Sequence, residues 1–231
     1  MKIRRIQYDV EFTHILTFQE EYRNKIAPIF KEPNLRYGLE NVGTLDESIK
    51  LVFTDLNFVV HCSKNAVRMM YEGDPMDFTK SGSPQWDVFN RILSSIREII
   101  GFGHLTRHTV QILAVHLFKE GIEPCELKNE SIKSSKFIKF SPFPNYNDFA
   151  IVFDEGEGEN TSKVTFGNFN SSDIKKFDLS PFETDYNNDL LINRQGYIAD
   201  IMIKRPIKSF SKSSYRDLLK EVDNLITKFK I

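Results

Sequence analysis

Two histidines four residues apart, His104 and His108, are the nearest approach in this sequence to a metal or acid–base pair. On a helix that spacing would put both imidazoles on one face. Gly101-Phe102-Gly103 breaks the preceding helix, a strand-like run follows, and no acidic residue lies between or beside the pair. A surface loop with two histidines is therefore expected. A metal centre normally takes three or four ligands, so none is expected beyond these two candidates, and no cofactor is implied. His61 and Cys62 are adjacent, and neighbours on a strand point to opposite faces, so they cannot pair as a nucleophile and base. Cys62 is expected in the core with His61 outward, and His116 falls on an apolar face as a core histidine.

Asp154, Glu155, Glu157 and Glu159 cluster where a hairpin turn is expected, without the alternation of a calcium loop. Gly156-Glu157-Gly158 would repel a phosphate, and Gly101-Phe102-Gly103 ends a helix instead of opening one, so neither is a nucleotide loop. No GxSxG, HExxH, Walker or paired-cysteine motif occurs. The remaining chemistry is a basic strip: Lys204, Arg205, Lys208, Lys212 and Arg216, with Phe210 and Tyr215 among them and no acid between 201 and 216. Cations interleaved with aromatics suit an acidic partner or single-stranded nucleic acid. A solvated loop feeding a helix has the same composition.

These residues need a scaffold, and the chain has the material for one. Its 231 residues are 40% hydrophobic and 27% charged, with 20 phenylalanines and one tryptophan, which predicts a packed core rather than disorder. The formal net charge of −1 argues against a broadly basic nucleic-acid binder. Two cysteines, Cys62 and Cys125, form no zinc or redox motif, and a reducing compartment is the simpler expectation. The first twelve residues alternate polar and apolar, unlike a signal peptide, and no run approaches a membrane span. A cytoplasmic protein with no membrane partner is expected.

The organising stretch is 49–100. Three strands are expected there, with Leu56, Phe58, Val60 and Cys62 on the core side of one, and Asn65 supplying a left-handed turn residue. A helix follows, capped by Ser83 and Pro84, with Trp86, Phe89, Leu93, Ile96 and Ile100 on one stripe. Ile6, Tyr8, Val10 and Phe12 mark a half-buried strand, Thr17 starts a helix ended by Pro28, and 34–42 is another strand. Residues 109–118 are apolar on both faces, as for a central strand covered on both sides. A hairpin is expected around 154–163, short strands at 137–140 and 190–193, and a last strand through Tyr197, Ala199, Ile201 and Ile203. The final helix carries Tyr215, Leu218, Leu219, Val222, Leu225, Ile226 and Phe229, with Ser214 and Asp217 at its start.

Both parts of the chain run from strands into an amphipathic helix. This predicts an α+β fold: mostly antiparallel sheet with helices on one face, in a helix-grip or TATA-binding-protein-like arrangement. The halves would be 1–119 and 148–231, joined by 120–147 or merged in one domain. The segments AVRMMYEGD, PQWDVFNRILSSI, GYIADIMIKRP and DLLKEVDNLITKF resemble a sporadically distributed, uncharacterised bacterial family of α+β proteins. That resemblance implies an α+β fold and carries no catalytic set.

Two long polar stretches, 125–147 and 171–195, hold embedded aromatics, and connections of that length are uncommon without a role. The expected function is a non-enzymatic interaction or adaptor protein, an accessory subunit of a larger bacterial complex with a protein partner or further copies of itself. Three alternatives stand beside it. One is a small-ligand cavity between sheet and helix lined by Trp86, Phe89 and Phe58. Another is a nucleic-acid binder using 204–216. The third is a hydrolase or nuclease built on His104, His108 and a distant carboxylate.

Overall fold

The computed structural model describes residues 2–13, 15, 35–99, 101, 103–118, 150–170 and 195–228. In chain order the strands and helices are β1 Lys2–Phe12, β2 Leu35–Glu40, β3 Ser48–Phe53, β4 Phe58–Ser63, β5 Ala66–Tyr71, α1 Pro84–Ile99, β6 Leu105–Leu117, β7 Ala150–Glu157, β8 Asn160–Asn170, β9 Gln195–Pro206 and α2 Lys212–Lys228. All nine strands join one sheet in the order β2-β3-β4-β5-β1-β6-β9-β8-β7, and every neighbouring pair is antiparallel. The order is symmetric about the β1–β6 pair: each part of the chain places its first strand in the middle, crosses to the edge and works back inward.

Alternation decides which face is the core. Ile6, Tyr8, Val10 and Phe12 are buried, and the register sets Tyr8 between Met69 of β5 and Val110 of β6. Helix α1 adds Trp86, Phe89, Ile92, Leu93 and Ile96 to this cluster, and α2 adds Tyr215, Leu218, Leu219 and Val222, so both helices cover the same face. Full burial of a side chain such as Phe89 or Ile92 contributes roughly 1.5–3 kcal/mol. Helix α1 begins where expected: the Trp86 N–H donates to Ser83 Oγ at 3.2 Å. It ends at Gly101, whose left-handed φ of 76° lets its N–H close on the Ile96 carbonyl at 3.1 Å.

Several local expectations are corrected. Leu56 lies in a 3₁₀ turn, Thr54–Leu56, and not in β4. The left-handed asparagines are Asn41 and Asn57, while the β4–β5 hairpin turns through Lys64 and Asn65 without a positive φ. The α2 cap is Ser211, which accepts from the Ser214 N–H at 3.2 Å while Ser214 Oγ accepts from the Ser211 N–H at 3.1 Å. The acidic stretch is not a loose turn: β7 and β8 stay paired until Glu157 faces Asn160. Strand β6 starts at Leu105, earlier than expected, and draws His108 into the sheet. Its cover on both faces holds for the C-terminal half, where Leu113 and Val115 join Phe169 and Ile198 in a second buried cluster. The helix expected from Thr17, the connection 120–147, the short strands at 137–140 and 190–193, and Ile100, Cys125 and Phe229 lie outside the described residues. No helix among the described residues is long and apolar enough to cross a membrane.

Gly196 marks a close approach at the start of β9. A Cβ there would stand 1.9 Å from the His116 carbonyl oxygen, whereas one at Gly38 on β2 would meet nothing within 4 Å. Backbone cannot swing aside, so Gly196→Ala should cost about 1–3 kcal/mol, and Gly38→Ala should change stability by less than about 0.5 kcal/mol. Urea denaturation of both variants checks the difference.

Candidate functional site

The antiparallel pairing of β6 with β9 sets Arg107 opposite Pro206, which brings the turn entering β6 beside the turn leaving β9. Helix α1 runs past both. Between them lies a cleft of ≈ 700 Å³. Helix α1 lines it with Asn90, Leu93, Ser94 and Arg97, spaced to share one side of the helix. The β6 turn adds Gly103, His104 and Leu105, and the β9 turn adds Lys208, Ser209 and Phe210. Three basic side chains and three neutral polar ones thus surround a partly apolar floor, with no carboxylate among the described lining residues. Neither Arg97 nor Lys208 makes an ion pair or hydrogen bond among the described residues. His104 is held by its backbone: its N–H donates to Thr13 Oγ1 at 3.1 Å, and its carbonyl accepts from the Thr13 N–H at 3.0 Å. The carbonyl end of α1 disfavours an anion and favours Arg97 in its last turn. Anion affinity here would rest on the side chains.

The structure scatters the basic strip. Lys204 and Arg205 stand on β9 and point to opposite faces. Arg205 pairs with Glu221 of α2 and donates to Thr161 O, Lys204 O and Ser162 Oγ. Lys212 donates to Lys80 O at 3.2 Å and stands 5.7 Å from the centre of the Trp86 ring. Arg216 donates to Thr79 O at 2.7 Å. Only Lys208 of the five reaches the cleft. Arg97, Asn90 and Ser94 belong to no motif in the sequence; their helical spacing is visible there, but which loops face them is not.

The two histidines also part. His104 is exposed at the cleft, whereas His108 is 5% exposed on the helix-bearing face, so the two-histidine surface loop does not form. The His108 Nδ1 lies 3.0 Å from Tyr8 Oη. Burial, with Arg205 nearby, depresses the His108 pKa to about 4, and burial raises that of the Tyr8 phenol. A protonated phenol and a neutral imidazole thus share one hydrogen bond, whose direction is set by the imidazole tautomer. His61 faces away from buried Cys62, as expected, with Nδ1 at 3.6 Å from Glu40. The acids of the β7–β8 hairpin, Asp154, Glu155, Glu157 and Glu159, are exposed. Among the described residues no three His, Cys, Asp or Glu side chains gather as a metal site would need.

The aromatic rings are packed against one another. Trp86 stacks on Phe210 at 4.8 Å and 10°, Phe89 meets Phe210 edge-on at 5.6 Å, and Phe58 lies 5.7 Å from both Phe53 and Phe78. No family model matches the chain, and no curated protein matches it.

His108 makes a pH prediction. An unfolded chain protonates this imidazole near 6.5, the folded chain near 4. Between those values the unfolded state binds more protons, so stability is lost as pH falls through the window. The full effect is roughly 3 kcal/mol. His61 and His116 also titrate lower through burial, so the effect is read by difference. His108→Gln, which keeps an acceptor for Tyr8, should flatten the stability–pH slope between 4 and 6.5 by close to one proton. An unchanged slope would refute the buried neutral imidazole.

Proposed function

We propose that this chain is a non-enzymatic interaction protein, an accessory subunit of a larger bacterial complex, and that it recognises an acidic segment of its protein partner in the cleft beside α1. The observation that carries this reading is the gathering of Arg97, His104 and Lys208 around one concavity with no carboxylate among its described lining residues. A partner carboxylate there would meet two cations that have no partner among the described residues, with Asn90, Ser94 and Ser209 to complete its hydrogen bonds. Such recognition is electrostatic and weakens with salt.

The arrangement we propose for the fold is TATA-binding-protein-like rather than helix-grip. Its support is a strand order symmetric about β1 and β6, with one strand-then-helix unit on each side. The halves 1–119 and 148–231 would then be related units joined through 120–147. The likeness is architectural and brings no activity with it. Membership of the sporadically distributed bacterial family rests on the four segments that resemble it.

Trp86 supplies the test. It is the only tryptophan, and it stacks on Phe210, which lines the cleft. An oligoglutamate peptide added at low ionic strength should change its fluorescence saturably. High salt should abolish the change, and Arg97→Ala with Lys208→Ala should weaken binding roughly tenfold without lowering the unfolding midpoint. No response from the peptide would overturn the proposal. Tighter binding of a single-stranded oligonucleotide, measured alongside, would replace it with the nucleic-acid reading.

A further inference from the structure

We propose that two copies of this chain join edge to edge through β2, antiparallel about Gly38, so that the sheet of one continues into the sheet of the other. Strand β2 is the last strand on its side of the sheet among the described residues, and Arg36 to Glu40 are all exposed. Tyr37 is 72% exposed and Leu39 40%. Edge strands in soluble proteins are commonly blunted by lysine, proline or a bulge; Leu35–Glu40, LRYGLE, has neither lysine nor proline, and its register to β3 is unbroken.

The sequence of this edge is complementary to itself. In an antiparallel pair centred on Gly38, Arg36 falls opposite Glu40 of the second copy, and Glu40 opposite the second copy's Arg36. Tyr37 falls opposite Leu39, and Leu39 opposite Tyr37. Directly opposed side chains are neighbours, and both opposite charges and aromatic–aliphatic pairs stabilise a ladder. Arg36 makes no ion pair among the described residues, while Glu40 keeps only longer contacts with Lys50 at 3.8 Å and His61 at 3.6 Å. The faces agree as well. Tyr37 lies beside Leu51 and Leu39 beside Ile49, both in the core, so the new pairs would extend the apolar row already covered by the helices. Gly38, at the centre, puts no side chain where the two backbones meet.

The opposite edge shows why β2 is the one. Strand β7 also exposes apolar residues, Val152 and Phe153, but within eight residues it carries Asp154, Glu155 and Glu157. Antiparallel self-pairing about its middle would set Asp154 and Glu155 against Phe153 and Val152, opposing each charge with an apolar side chain. A six-residue edge is small beside the ~1,200–2,000 Å² of stable interfaces, so the association should be micromolar rather than nanomolar.

Charge reversal tests the pairing, with none of the cleft residues involved, so a failure here leaves the cleft untouched and the reverse. Light scattering and sedimentation across a concentration series should show the wild-type chain dimerising. Arg36→Glu and Glu40→Arg alone each place like charges opposite each other twice, and should raise the dissociation constant roughly tenfold or more. Mixed together, the two variants should form a heterodimer, because one then offers two acids at these positions and the other two bases. The double variant should dimerise like the wild type. Circular dichroism of each confirms that it is folded. A wild-type chain that stays monomeric, a dimer indifferent to single reversals, or folded variants that do not associate on mixing would each overturn the proposal.

Discussion

Tyr8 is the point at which the sheet and both helices meet. Its ring lies 4.9 Å from Tyr215 of α2, 5.9 Å from Phe89 of α1, 6.4 Å from Phe210 and 5.9 Å from His108. Such contacts add roughly 0.5–1.5 kcal/mol each to simple burial, but only if the hydroxyl, buried with the ring, finds an acceptor. His108 is its hydrogen-bond partner. Burial acts on both groups: it keeps the phenol protonated and the imidazole neutral. The bond also ties β1 to β6 by side chains, at the middle of the sheet, where every other strand is placed by reference to these two.

One residue further along, the same strand meets the opposite requirement. Asp9 faces away from the helices, and Arg68 of β5 grips it through two bonds of 2.9 and 3.0 Å. Gln7 adds a third at 3.2 Å. Burial nevertheless raises the Asp9 pKa, outweighing the pull of Arg68. Glu11 and Arg107 pair at 2.7 Å beside it, and Gln111 donates to both oxygens of Asp200 at 2.8 and 3.0 Å. The central strands thus carry rings on one face and a cross-strand polar lattice on the other. That difference fixes register, because sliding any of them by one residue would bury the lattice under the helices.

This two-faced pattern was legible in the sequence wherever alternation is strict. The strand through Ile6, Tyr8, Val10 and Phe12, the stripe of α1 and the stripe of α2 follow from spacing alone, because a period of two or of 3.6 survives into three dimensions. What was not legible depends on which strands become neighbours. His108 looked like loop because glycines precede it, yet the ladder with β1 continues past it to Leu105. Asn65 looked like the left-handed turn residue, but Asn57 and Asn41 take that role. The cleft was hidden for the same reason: its walls come from three places in the chain, and only one of its basic residues, Lys208, belonged to a visible run of charge.

That run shows how little a linear density of charge says about a surface. A strand sends consecutive side chains to opposite faces, so Lys204 and Arg205 separate at once. Beyond the strand, Lys212 and Arg216 are one helical turn apart on α2, and both turn back to the end of a 3₁₀ turn, Pro75–Thr79, where the carbonyls of Thr79 and Lys80 accept from them. These cations hold α2 against the segment before α1, and Arg205 holds it against β8 and β9 through Glu221, Thr161 and Ser162. Five charges that would repel one another along an extended chain are instead dispersed, and most of them are used up in fastening a helix to its sheet. Lys208 sits in the turn itself and makes no ion pair or side-chain hydrogen bond among the described residues. Its neighbours there, Arg97 and His104, arrive from elsewhere in the chain, so the cleft owes its basic character to the topology that assembles it and not to the strip.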